Sequence, residues 1–266
     1  MSIHKPDTLC TKVYDQSKYY FNKSLCSRFL VYVTGVVALF ANDKYTIAPA
    51  IAMVLVVLSE YFQYRSDTFK GIAESLRRKL DFWHSFGWSI PTKELSNIIL
   101  EIPENIEKEV IAAPEENYFM SDKEVGAIKS LENLEESAWW SKHLTKCILN
   151  IYLGAIGIIT AIILIAFYVS FNVSPAEHYL PKISKIMTSS IMVLFSIGIV
   201  RTSIGYARFH KKCDQIEMII PDKIKSNLGV PECIKIWSEY HVARASSPLI
   251  PSIIWKIGRA SCRERV

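Results

Sequence analysis

The sequence predicts an all-α membrane protein with four transmembrane helices arranged as two hairpins, and a helical cytosolic stalk and insert between the second and third spans. Three observations carry this. Cys147 to Ala176 is a run of thirty residues without Asp, Glu, Lys, Arg or His, whereas a helix needs roughly 20 residues to cross a hydrocarbon core about 30 Å thick. Two shorter apolar runs, Phe29–Ala41 and Tyr45–Ser59, flank the polar Asn42-Asp43-Lys44. Between these and the long run, apolar residues recur at spacings of three and four, the period of an amphipathic helix.

Composition agrees. Half of the 266 residues are apolar and they are concentrated in runs, the pattern of a small polytopic membrane protein. The net charge of +5 is modest. It gives no reason to expect a nucleic-acid polymer as partner, because Lys and Arg also hold cytoplasmic loops on the inner side of a membrane. Six cysteines at 10, 26, 147, 213, 233 and 262 form no CxxC pair, so neither a disulfide framework nor a zinc site is expected.

Residues 1–64 read as an N-terminal segment and the first hairpin, with spans at about 24–41 and 45–64. Met1 to Arg28 carries five basic and two acidic residues and the cluster Tyr19-Tyr20-Phe21, which suits an anchor at the inner leaflet. Arg28 would snorkel to the headgroups, and Pro49 falls early in the second span, where a missing N–H is tolerated.

Residues 65–146 read as the stalk and insert. Phe69, Ile72, Leu76, Leu80 and Trp83 share one helical face, which would extend the second span into the cytosol. Gly87, Pro91, Pro103 and Pro114 then divide the chain into short pieces. From Glu94 to Glu136 there are twelve acidic and three basic residues, a strongly acidic insert. A second amphipathic helix, with Val125, Ile128, Leu131, Leu134 and Ala138 on one face, should pair antiparallel with the first stalk. It leads to Trp139 and Trp140, expected with Lys142, His143 and Lys146 to be anchors at the inner interface.

Residues 147–207 form the second hairpin, with spans at about 148–171 and 186–206; Arg201 lies near the inner end of the fourth span and would anchor by snorkelling. Residues 208–256 read as two cytosolic helical pieces, separated by Pro221 to Pro231 and closed by Pro248-Leu-Ile-Pro251. Residues 257–266 look like the translation of a common sequencing adapter and are expected not to be native, which would put the true C-terminus beyond about residue 256. Without Arg259, Arg263 and Arg265, the chain has 28 Lys and Arg, and only Lys44, Lys182 and Lys185 fall in the two outer loops. Both termini and the insert are therefore expected on the cytoplasmic side.

No phosphate-binding glycine loop, GxSxG, HExxH or kinase-type set occurs, so the expected protein is not an enzyme and needs no cofactor. His210 and Cys213 have ligand-like spacing but no second pair, and no metal site is expected. The informative pattern is in the fourth span. Ser189, Ser196 and Ser203 recur every seven residues, with Gly198, Thr202 and Gly205 alongside; such a stripe either packs against a helix or lines water in an oligomer. Gly154, Gly157 and Ala161 give the third span a matching small face, expected to pack against the fourth.

Leu131-Glu-Asn-Leu-Glu-Glu-Ser-Ala-Trp-Trp-Ser-Lys-His-Leu144 before a third span, within a layout of two spans, insert and two spans, resembles the SMODS-associated four-transmembrane pore-forming effectors of bacteria. Tyr118-Phe119 and Arg244 to Pro251 are also similar to segments of such proteins. The resemblance implies an antiphage effector in the bacterial inner membrane, a homo-oligomer that permeabilises the bilayer on a signal from a nucleotide second messenger or a soluble partner. Arg77, Arg78 and Lys79, otherwise a solvated helix face, would be the basic residues to meet such a signal. The expected function is thus a regulated pore or membrane-disrupting effector. The alternatives are an adaptor recruiting a soluble partner through its acidic insert, and a small transporter, for which Glu60 is the sole intramembrane acid.

Overall fold

The computed structural model describes residues 5–40, 47–112, 119–172, 198–226 and 228–251. They form seven helices and no strand: α1 (Pro6–Phe40), α2 (Ala48–Phe86), α3 (Thr92–Glu101), α4 (Glu104–Ala112), α5 (Ala127–Asn172), α6 (Ile199–Lys225) and α7 (Val230–Ser246). Turn residues set the boundaries. α2 stops at Gly87, whose φ of 74° only glycine adopts freely and whose N–H donates back to the Trp83 carbonyl. α3 gives way to an extended Ile102 before Pro103, and α7 to an extended Ser247 before Pro248, as the backbone preceding proline requires.

The helices form two antiparallel pairs. In the first, Ser17 Oγ donates to the Ser66 carbonyl at 2.8 Å, Ser24 Oγ to the Ser59 carbonyl at 3.0 Å, and Arg28 pairs with Glu60 at 3.4 Å, so α1 and α2 run in opposite directions. In the second, Lys142 of α5 pairs with Asp214 of α6 at 3.0 Å, while Tyr152 and Tyr206 meet edge to face at 5.7 Å.

Each pair has its own apolar core. Leu9, Cys10 and Val13 of α1, Phe69, Leu76 and Leu80 of α2, Ile98 of α3, Ile102 between α3 and α4, and Ile106 and Val110 of α4 form the first. Leu131, Leu134 and Ala138 of α5, Phe209, Cys213 and Ile216 of α6, and Trp237 and Tyr240 of α7 form the second, against which Phe82 and Phe86 of α2 also pack. The pairs touch directly at one end of the body, the distal end, where the Gly126 N–H donates to the Ser85 carbonyl and Asn133 Nδ2 donates to Ser85 Oγ.

Several expectations change here. Residues 6–28 are the first two-thirds of α1, and Leu9, Cys10 and Val13 among them lie buried in the core against α2. The acidic insert packs on the same core through Ile98, Ile102 and Ile106. The expected apolar faces are buried at Phe69, Leu76, Leu80, Leu131, Leu134 and Ala138 and half-buried at Ile72, but Trp83, Val125 and Ile128 are exposed. The two stalks do not pair along their length either. Helical period reveals that a face is buried, not which helix covers it.

Among the described residues one helix, α5, is long and apolar enough to cross a membrane, and only 6% of its most apolar stretch is buried. The expected spans at 24–41, 45–64 and 186–206 each run partly through residues outside the described ones.

Candidate functional site

Two features stand out, an uncovered apolar end and a buried ionic clasp beneath it. At the end opposite the distal contact, α2 exposes Ile51, Met53, Val54 and Val57, and α5 exposes Leu153, Ile158, Leu164 and Phe167, between 49% and 72% of each residue's surface. Phe29 and Leu30 of α1 and Ile204 of α6 are exposed too. Soluble monomers seldom expose so many large apolar side chains along their helices. Helices satisfy their own backbone groups, so such a surface suits a hydrocarbon surround.

The sequence-derived site residues scatter over this frame. Gly154, Gly157 and Ala161 lie exposed on the apolar part of α5, and nothing described comes within 4 Å of a Cβ built on either glycine. Their expected packing against the fourth span is thus not seen among the described residues. Ser189 and Ser196 lie outside those residues. Gly198 has a left-handed φ of 69° and α6 starts at Ile199. Ser203 is buried, with Oγ donating to the Ile199 carbonyl at 2.8 Å. Thr202 is half-buried, and Arg201 is exposed in the first turn of α6.

Trp139 and Trp140 do not rim the apolar end. Their neighbours Ser137 and Ser141 both bond Tyr240, next to His241, which bonds Asp81. The tryptophans therefore sit level with Asp81, roughly 30 Å along α2 from Glu60 at about 1.5 Å per residue. Both are half-buried against the body, with Trp139 4.3 Å from the His143 ring. Arg77, Arg78 and Lys79 do not form one basic patch. Arg77 is buried with Asp81, Lys79 pairs with Glu94, and Arg78 is exposed.

The clasp joins α1, α2 and α7. Asp81 is fully buried; its Oδ1 lies 3.0 Å from Arg77 Nε, and its Oδ2 lies 3.0 Å from His241 Nε2 and 3.1 Å from Arg244 Nη1. Arg244 Nε donates to Glu74 Oε2 at 2.9 Å, and Tyr14 of α1 lies beside Glu74. Burial pushes the Asp81 carboxyl up, yet Arg77, Arg244 and the His241 bond outweigh it and hold it down at about 2. Burial likewise lowers His241, against the opposing pull of Asp81, so its ring stays neutral near pH 7. Two guanidiniums then face two carboxylates. Cys10 nearby is pushed up to about 12 by burial and is a packing thiol rather than a nucleophile. Among the described residues no group of three or more His, Cys, Asp or Glu could hold a metal ion.

One turn toward the apolar end, Lys70 Nζ donates to the Ala245 carbonyl at 2.7 Å and the Ser247 carbonyl at 2.5 Å, capping the C-terminus of α7 from α2. The segment after α7 then crosses α6. A Cβ on Gly205 would lie 2.7 Å from the Pro248 ring, and Tyr206 donates its hydroxyl to the Leu249 carbonyl. Sequence reading missed the clasp. Its only local signs are Glu74, Arg77 and Asp81 at helical spacing on α2, and His241 and Arg244 three apart on α7. A scan against protein-family models and searches of curated proteins and of solved structures find no match.

Proposed function

We propose that this chain is a non-enzymatic effector of the bacterial inner membrane, in which four spans, at about 24–41, 45–64, 148–171 and 186–206, cross the bilayer, copies assemble, and the assembly permeabilises it. The observation that carries the reading is the division of α5. The same unbroken helix is a core member at Leu131, Leu134 and Ala138 and a bare apolar rod from Leu153 to Phe167. A helix rooted in a folded cytosolic body and ending in lipid can pass a change in the body to the membrane.

The uncovered Gly154, Gly157 and Ala161 face would let another helix approach closely within the bilayer. The resemblance to SMODS-associated effectors supplies the setting, antiphage defence triggered by a nucleotide second messenger or a soluble signalling partner, with both termini cytoplasmic. Because Arg77 and Lys79 already serve ion pairs, Arg78 is the exposed member of that trio for such a signal.

Expression in bacterial cells loaded with a voltage-sensitive dye tests the reading. Depolarisation on activation, with the chain retained in membranes after alkaline extraction, is expected. An unchanged membrane potential with the protein correctly inserted overturns it. The adaptor reading draws on Leu100, 84% exposed on the acidic α3; it is favoured if Leu100→Ser abolishes capture of a soluble partner and leaves membrane potential irrelevant to growth.

A further inference from the structure

The contacts that hold the two helix pairs together are unequal along their length. At the distal end Ser85 bonds Gly126 and Asn133, and Phe82 and Phe86 are set into the second core. That is a broad apolar joint. Phe82 also meets the Trp237 and His241 rings of α7; beyond it, toward the apolar end, the bridge is polar: Arg244 to Glu74 and Asp81, His241 to Asp81, and Lys70 to the carbonyls at the end of α7. The far side of the same helix is fixed to the second pair. Trp237 is fully buried and donates from Nε1 to Ser130 Oγ at 2.9 Å, and the segment beyond α7 lies on Gly205 and Tyr206 of α6.

From this we infer that α7 and Ser247–Pro251 form a latch: released from α2, they let the α1–α2 pair swing away from the α5–α6 pair about the distal joint, spreading the apolar end. The inference rests on the membrane-effector reading for its consequence, not for the motion. Buried ion pairs recover in mutual attraction little more than the water they give up, so this contact can be firm yet reversible, unlike the apolar joint. The geometry also amplifies. Lys70 lies roughly 22 Å from Ser85 along α2 and Val54 roughly 46 Å, at about 1.5 Å per residue, so a displacement at the latch doubles at the apolar end.

The test uses the full chain in lipid nanodiscs, with spin labels carried by unnatural residues at the exposed positions Thr68 of α2 and Arg208 of α6. Wild type is expected to give one short distance. Lys70→Met and Arg244→Met are expected to shift the distribution to longer values with helix content unchanged. Lys70→Met removes only two bonds to carbonyls and keeps the test decisive should Arg244→Met not fold. A wild-type distance in folded Lys70→Met overturns the latch whatever else the variant does. Dye release from vesicles carrying the same variants separates the two claims. Longer distances with raised leakage support both; longer distances in tight vesicles leave the latch standing and count against the effector reading.

Discussion

Arg244 of α7 and Asp81 of α2 lie 163 positions apart in sequence and meet at 3.1 Å in a site where the carboxylate has no solvent contact. Removing that carboxylate leaves the Arg77 and Arg244 charges with Glu74 as the acid that remains among them. Asp81→Ala is therefore expected to lower stability by about 3–5 kcal/mol, the usual cost of orphaning buried charge. Thermal unfolding in detergent, against Asp81→Asn as the smaller change, measures it.

Acid should weaken the same clasp in two steps. His241 is lowered below 6.5 in the fold, so the unfolded chain takes up the proton first and stability falls as pH drops below about 6.5. Asp81, lowered from 3.8 to about 2, adds a second loss as pH falls from the first value through the second. The groups that face them are Cys10 and Tyr14 on α1, Lys70, Glu74 and Arg77 on α2, and Tyr240 and Arg244 on α7. The slope from His241 is at most about 1.4 kcal/mol per pH unit. Melting temperatures between pH 5 and 8 are expected to fall toward the acid side, and His241→Gln should flatten that range.

Gly205→Ala puts a methyl 2.7 Å from the Pro248 ring, so the segment after α7 must move. The expected cost is about 1–3 kcal/mol, as for overpacking elsewhere, with faster hydrogen exchange over 247–251. Adding Pro248→Ala should restore much of the loss, an outcome that a general weakness of α6 would not give.

Trp237→Phe keeps the ring in the second core but removes the donor to Ser130. A loss of about 1–2 kcal/mol is expected from the missing bond, whereas Trp237→Ala should cost about 3–5 kcal/mol by opening a cavity. The ratio of the two reports whether polar fixation or packing holds α7 to the second core.

The apolar faces of α2 and α5 and the breaks at Gly87, Pro91 and Pro103 were legible because each depends on local period or backbone freedom. The body-forming half of α1 was not. Its buried face toward α2 carries Ser17, Ser24 and Ser27, whose hydroxyls reduce the hydrophobic period while Ser17 and Ser24 bond carbonyls on α2. The tryptophan pair misled for a related reason. Aromatic residues beside lysines mark a membrane interface only when the exposed apolar surface starts next to them, and on α5 it starts near Ile151 and Leu153, three turns beyond Trp139 and Trp140, with Ile148 in between fully buried. The clasp joins residues that no local pattern brings together.

Planar-bilayer recording with the purified full-length chain, wild type beside Arg244→Met, tests most directly whether the apolar end opens a conducting path. Discrete conductance steps are expected, rarer for wild type and more frequent for the variant. Protein that floats with lipid in a gradient yet leaves the bilayer electrically tight in both forms would contradict the effector reading.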